Sequence, residues 1–321
     1  MAHITFIHGI ANKPPKDTLH DLWLRSLSGD DGVDLGASGV TSSMVYWADV
    51  MYAEPLGEDG GEESADQDGA EVQAAGETAS DTGWYGQADG REQLWTAALA
   101  AKLNVALVAD DTAATIQSPL ESALERVPLP WIVKRRLMQT LLRDVHHYLF
   151  NTTYSPRPGA TYRVQDEIRG RTLDALREGA AKPGPHIVVS HSMGTVIAYD
   201  CLKRCADAPP VDALFTIGSP LGIDEIQDLL KPEWQRESGF PDVTVRGRWI
   251  NVYDKLDPVT GFDYHIANDY RRSGAESVED VNEQNYGRWR HDIRKYLAGS
   301  MLREHLADVL RAGVPGHGVG A

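Results

Sequence analysis

The segment Ser190-His191-Ser192-Met193-Gly194 holds a serine with a small residue two positions before it and two after it. The β-branched run Ile187–Val189 precedes it and helical spacing follows it, which predicts a strand, a tight turn and a helix. Small residues at those positions let the turn close and leave the Ser192 hydroxyl projecting. The pattern indicates a nucleophile ahead of a helix N-terminus, with a phosphate-binding or merely tight turn as the alternative.

A serine nucleophile needs a base to take its proton and an acid to orient that base. Two carboxylates, Asp254 and Asp257, lie in the loop after a strand predicted at Arg248–Tyr253. From their position alone, either of these two carboxylates could be the acid that orients the base. Asp254 lies nearer the strand end and is also suited to capping a turn.

His291 is the best candidate for the base. It lies in a loop beyond the last predicted strand, Val278–Val281, and ahead of a helix that begins near Asp292. His265 follows the acid loop with no strand between them, and His305 falls within the terminal helix. The order of nucleophile, acid and base therefore favours His291.

The serine turn resembles the G-x-S-x-G nucleophile elbow of the α/β-hydrolase superfamily, with Ser190 in place of the first glycine. Asp257-Pro258-Val259, just past a strand, resembles the acid loop of many members. The resemblance thus implies the catalytic set Ser192, Asp257 and His291, with Asp254 as the alternative acid.

His8-Gly9, at the end of the first predicted strand, resembles the His-Gly oxyanion loop of the same superfamily. The resemblance implies that the backbone amides of Ile10 and Met193 bind the oxyanion. Amides directed at a tetrahedral intermediate commonly supply the largest catalytic contribution. We expect His8 itself to be structural, because no carboxylate or cysteine cluster accompanies it and His3 to form a metal site.

Three further segments look like bacterial lipase- or esterase-like hydrolases, distantly similar to the GPI-inositol-deacylase group: Asp144-Val-His-His-Tyr-Leu149, Arg169–Leu176 and His291-Asp-Ile-Arg-Lys-Tyr296. The resemblance spans Ile4 to Leu297. Two departures stand out. The first elbow position is not glycine, and the chain starts directly at the oxyanion strand, which predicts a minimal sheet without the usual leading hairpin strands.

Strands and helices are predicted to alternate, which indicates the α/β class with a mostly parallel sheet flanked by helices. The resemblance implies the α/β-hydrolase fold as a single domain over residues 1–321. The predicted strands are Ile4–Ile7, Val40–Val50, His186–Ser190, Val211–Ile217, Arg248–Tyr253 and Val278–Val281. The first predicted helix begins at a cap formed by Asp17 or Thr18. The other predicted helices cover 92–108, 128–150, 163–178, the stretch after Gly194, 226–230, 292–297 and 301–310.

The two helical stretches between the second strand and the elbow predict a helical lid at residues 91–160. Such a lid could shape a substrate pocket or touch a lipid surface, and ordinary packing of these helices against the core is the alternative. An additional strand in this segment stays open.

The chain has 321 residues and a formal net charge of −16. Residues 53–90 contain eleven Asp or Glu and no Lys or Arg, so the remaining 283 residues carry only −5. This stretch has too little apolar surface to offset its ordering entropy, which predicts a flexible acidic insertion that either is simply solvated or docks a basic partner. The acidic balance argues against a nucleic-acid binder.

The compartment is predicted from what the sequence lacks. The N-terminus has no basic region ahead of an apolar run, and no window reaches about 18 uninterrupted apolar residues. Cys201 and Cys205 are four residues apart on one predicted helix, a spacing that rarely meets disulfide geometry. We expect a cytoplasmic protein with reduced thiols and a frayed tail at residues 313–321.

These residues predict an enzyme that hydrolyses carboxylic esters of small molecules through an acyl-enzyme on Ser192, with no metal or organic cofactor. The choice of ester over other acyl compounds is an analogy with the fold. Among enzymes, the alternative is a peptidase, amidase or thioesterase with the same three residues. A non-catalytic protein that binds a partner through its acidic insertion is the alternative from another class.

Overall fold

The computed structural model describes residues 2–57, 84–108, 131–260, 263–286 and 289–312. Strands within these ranges are β1 (His3–Ile7), β2 (Thr41–Val45), β3 (Thr153–Arg157), β4 (Ala160–Arg163), β5 (His186–His191), β6 (Val211–Ile217), β7 (Val245–Tyr253) and β8 (Val278–Asn282). The helices are α1 (Lys16–Ser28), α2 (Ala48–Met51), α3 (Gly90–Val108), α4 (Trp131–Leu149), α5 (Val164–Ala180), α6 (Met193–Arg204), α7 (Asp224–Leu229), α8 (Ile293–Ala298) and α9 (Ser300–Ala312).

Six strands form one sheet in the order β2-β1-β5-β6-β7-β8, and every neighbouring pair is parallel. The chain therefore has the α/β class and the mostly parallel sheet that the alternation predicts. Parallel strands end at one common edge of a sheet, so the loops that follow β1, β5, β6, β7 and β8 lie together at its carboxyl edge.

Both faces of the sheet are covered, because side chains alternate between two hydrophobic clusters. On β1, Ile4 and Phe6 pack with Leu19, Trp23 and Leu27 of α1, and α8 and α9 complete that face. The opposite face receives Ile7 of the same strand together with residues of α2, α4, α5 and α6. Burial on both faces explains why the central strands are continuous apolar runs.

The second strand is shorter than the prediction of Val40–Val50. It ends at Val45, which pairs with Ile7, the last residue of β1. Beyond that pair, the backbone N–H of Trp47 donates to Nε2 of His8 at 3.0 Å and the chain turns into α2. The partner strand has ended, so the remaining residues of the predicted strand gain a helical turn instead.

One other expectation is wrong: helix α1 begins at Lys16 after Pro15 and no side chain caps it, so Asp17 and Thr18 lie inside the first turn and neither is the cap. The additional strand that the sequence left open in segment 91–160 is present as β3, which forms an antiparallel hairpin with β4. Pro156 within β3 masks the strand pattern, since proline is tolerated only at strand edges and bulges.

Parts of the predicted insertions lie outside the described residues: 58–83 of the acidic stretch, 109–130 of the lid segment, and the tail 313–321. In the described part of the lid segment, α3 and α4 pack against one another. Trp95 of α3 donates from Nε1 to the backbone oxygen of Glu225 on α7, at 2.7 Å. None of the described helices combines the length and hydropathy of a membrane span.

Candidate active site

Ser192 lies at the turn between β5 and α6, with φ 53° and ψ −128°. A residue other than glycine rarely adopts a positive φ, and such strained backbone persists only where its surroundings impose it. The same turn lies close to β1: a Cβ at Gly194 would lie 2.4 Å from the backbone oxygen of Ile7. The turn can therefore lie in contact with the end of β1 only because residue 194 has no side chain.

Serine is accommodated at the first position of the elbow. Ser190 is fully buried, and its hydroxyl donates to the backbone oxygen of Phe215 on the neighbouring strand at 2.9 Å. The backbone N–H of Ser192 donates to Ile217 at the end of the same strand, at 2.9 Å. These bonds fix both sides of the turn to β6.

His291 and Asp257 form a buried pair. Nδ1 of His291 lies 2.8 Å from Oδ2 of Asp257, and both residues are at most 4% exposed. A carboxylate oxygen accepts, so Nδ1 carries a proton, and the neutral form of the ring in this orientation presents a lone pair at Nε2. Asp257 also accepts from the backbone N–H of Val259 at 2.8 Å and from the hydroxyl of Tyr296 at 2.7 Å. Three donors thus hold the carboxylate in place.

Asp254 has different partners. One of its oxygens accepts from the backbone N–H of Leu256 at 2.7 Å, and the other accepts from Asn285 at 2.6 Å and from Arg290 at 3.1 Å. The bond to Leu256 closes the turn that begins at Asp254, and the other two bonds hold the loop ahead of His291 in place. The structure therefore brings His291 to Asp257, and Asp254 supports the two loops.

Ser192 Oγ and His291 Nε2 are both buried, and neither has a hydrogen-bond partner within the described ranges. Gly218, directly after β6, packs against His291, since a Cβ on Gly218 would lie 3.1 Å from Nδ1 of that histidine. Gly218 follows Ile217, the residue that binds the Ser192 backbone. Buried polar atoms usually find partners, so these two atoms are exceptions that call for an explanation.

The loop that carries Ile10 lies against Ser192. A Cβ at Gly9 would be only 2.6 Å from the Cβ of Ser192, so the two backbones touch without an intervening side chain. Among the backbone bonds of turns, loops and caps in the described residues, none has the N–H of Ile10 or Met193 as donor. The structure thus brings all five predicted residues to the carboxyl edge of the sheet.

Two further residues at this edge were not predicted from the sequence. Gly218 has φ +55° and leaves the space that His291 and Asp257 fill. His191 donates from Nε2 to the backbone oxygen of His291 at 3.0 Å, and the two rings lie 4.6 Å apart. The one available signal for Gly218 was a glycine directly after a predicted strand, whereas His191 has no signal beyond its place in the elbow.

Burial keeps the neighbouring histidines neutral. It lowers the pKa of His8 to about 3, and it lowers the pKa of His191 well below its ordinary value, helped by His291 and Lys13 nearby. His8 donates from Nδ1 to the Gly9 carbonyl at 2.8 Å and accepts from Trp47, so it shapes the loop. In the ranges that the structure describes, His, Cys, Asp and Glu side chains form no group of three able to hold a metal ion.

No family model matches the chain, and no curated protein does. Among solved structures, the crystal structure of an uncharacterized protein from Pseudomonas aeruginosa is similar, with 11% sequence identity and a TM-score of 0.33. The alignment covers 98% of this chain and 46% of that one, so the chain spans about half the length of that structure.

Proposed function

We propose that the chain is a serine hydrolase of the α/β-hydrolase superfamily that cleaves carboxylic esters through an acyl-enzyme on Ser192. One observation carries the proposal. A serine with strained backbone shares a sheet edge with a buried His291–Asp257 pair, and the Ser192 Oγ and His291 Nε2 atoms are both without partners. The bond from a nucleophile to its base is often long or poorly aligned until substrate binds, so a free hydroxyl and a free Nε2 at one sheet edge fit these two roles.

In the proposed acylation step, Nε2 of His291 takes the proton of Ser192 while the serine oxygen attacks the ester carbonyl carbon. Asp257 stabilises the imidazolium through Nδ1, and Tyr296 and Val259 hold its carboxylate at 2.7 and 2.8 Å. The amides of Ile10 and Met193 bind the oxyanion. Collapse of the tetrahedral intermediate expels the alcohol, which receives the proton from His291.

Deacylation repeats the sequence with water. His291 takes a proton from water, the resulting hydroxide attacks the acyl carbonyl, and the second tetrahedral intermediate releases the carboxylic acid. The proton then returns to the oxygen of Ser192, which restores the starting enzyme. Besides the ester and water, the two steps use only these side chains and amides.

We further propose that helices α3 and α4 of segment 91–160 act as a lid over the ester. The bond from Trp95 joins α3 to α7, the first helix after β6, whose start therefore lies towards the carboxyl edge of the sheet. A panel of p-nitrophenyl esters of rising acyl length tests this: long-chain preference indicates a lipase with a lid, and short-chain preference an esterase.

The experiment that tests the proposed activity is labelling with a fluorophosphonate, which reacts covalently with activated serines. We expect wild-type protein to be labelled and Ser192→Ala to be unlabelled. Ser26→Ala is the control, because it removes a half-buried serine hydroxyl on α1 that donates to the Leu22 carbonyl of its own helix. Folded wild-type protein that stays unlabelled and hydrolyses no ester would refute the proposal.

A further inference from the structure

The loop that follows β1 is held at both of its ends. At the first end, Trp47 donates from its backbone N–H to Nε2 of His8 and from Nε1 to the His8 carbonyl, both at 3.0 Å. The ring of His8 stacks on Trp47 with the centroids 4.7 Å apart. Neutral His8 can accept and donate at once, so this end of the loop is rigid.

The second end is held by Asp144 of α4, a residue far away in the chain. Its Oδ2 accepts from the backbone N–H of Ala11 at 3.0 Å and from the hydroxyl of Tyr52 at 2.9 Å. Ala11 has φ +71°, an uncommon conformation for alanine, which the bond to Asp144 helps to impose. Ile10 is the residue next to this bond.

Arg143 completes the arrangement around this carboxylate. Its Nε and Nη2 donate to Oδ1 of Asp144 at 3.1 and 3.0 Å, and its guanidinium lies 4.7 Å from the centroid of the Tyr52 ring. Asp144 is fully buried. A buried carboxylate with four donors around it has a fixed position, so it can fix the backbone that it binds.

We infer that Asp144 is a positioning residue for the oxyanion amide of Ile10. It acts through Ala11: by fixing the peptide that follows Ile10, it sets the distance between the Ile10 N–H and the oxygen of the tetrahedral intermediate. Helix α4, predicted as part of a lid, therefore also builds the active site. The inference rests on the proposed function, because only a serine hydrolase needs the Ile10 amide in that role.

The test compares Asp144→Asn with wild-type protein, with the concentration of active sites titrated by a fluorophosphonate. The substituted amide has one oxygen, so it cannot accept from Ala11 and Tyr52 on one side and from Arg143 on the other. Displacement of a catalytic group by about 1 Å costs about 100-fold, so we expect kcat to fall about 10- to 100-fold with KM nearly unchanged. Affinity for a boronic acid, which forms a tetrahedral adduct on serine, should fall in parallel.

Asp200→Asn is the matched control. Asp200 is also fully buried and also accepts from a tyrosine, Tyr148, and it has two arginine partners, Arg169 and Arg204, where Asp144 has one. None of these bonds involves the loop after β1. We expect this variant to lose stability and to keep its kcat per titrated site. Its pH profile and that of Asp144→Asn should match the wild type, because His291 and Asp257 are untouched.

The outcomes separate the two proposals. If wild-type protein is neither labelled nor active, the proposed function fails and the inference about Asp144 falls with it. If wild-type protein is active and Asp144→Asn keeps kcat and boronate affinity, Asp144 is only a structural ion-pair residue. Should Asp144→Asn fail to fold, Tyr52→Phe removes one bond to the carboxylate, and we expect a roughly threefold lower kcat; unchanged kcat there would overturn the inference.

Discussion

Replacing Gly9 by alanine should separate the loop after β1 from the nucleophile. The added Cβ would lie 2.6 Å from the Cβ of Ser192, whereas carbon atoms in contact are about 3.5–4.0 Å apart. The two backbones must therefore move apart by about 1 Å. A displacement of that size at a reacting group lowers rates by about 100-fold, so we expect kcat/KM for p-nitrophenyl acetate to fall by about that factor.

The same variant should lose about 1–3 kcal/mol of unfolding free energy, the usual cost of forcing extra volume into a packed region. Gly170→Ala is the control: on α5, a Cβ meets no atom within 4 Å. That change should raise the free energy of unfolding by up to ~1 kcal/mol, since alanine favours helix over glycine, and leave kcat/KM unchanged. Urea unfolding and initial rates measure both. Wild-type kcat/KM in Gly9→Ala would refute the close approach of the loop to Ser192.

Two other predictions concern the acid and the histidines. Asp257→Asn should lower kcat by about 10³- to 10⁴-fold, whereas Asp254→Asn should mainly lower stability; equal kcat losses in steady-state assays would contradict the geometry. Burial lowers the pKa of His8 from 6.5 to about 3, so below about pH 6.5 the unfolded chain takes up a proton there that the folded chain does not. His8 alone should therefore lower the free energy of unfolding by about 1 kcal/mol per unit as the pH drops from 6.5 towards 3, and the lowered pKa of His191 adds to that loss. A urea midpoint that stays constant from pH 7 to 5 would argue against this.

Local patterns were sufficient for most of the sheet. The run His186–Ser190 is short and rich in β-branched residues, and it forms the central strand β5 with one more residue, His191. The end of β2 could not be predicted in the same way, because it depends on the contact of Trp47 with His8, 39 residues away. The local apolar pattern continues past Val45, but the contact between Trp47 and His8 ends the strand there.

The residues of the candidate site likewise differ in whether local sequence could predict them. The loops that carry Ser192, Asp257 and His291 could be predicted, because each comes after a recognisable strand and strand ends meet at one edge of a parallel sheet. Asp144 was not, since its bond to Ala11 spans 133 residues and nothing in a helical pattern shows which end of the sheet it meets. The choice between Asp254 and Asp257 likewise depended on side-chain contacts that a sequence does not display.

The central claim is that Ser192 carries an acyl group during turnover. Intact-mass spectrometry of protein quenched in acid during hydrolysis of a p-nitrophenyl ester measures this directly. We predict a mass increase of one acyl group, mapped to the peptide that contains Ser192, together with a burst of one p-nitrophenol per active site. Turnover without that adduct, an adduct on another residue, or undiminished hydrolysis by Ser192→Ala would contradict the claim.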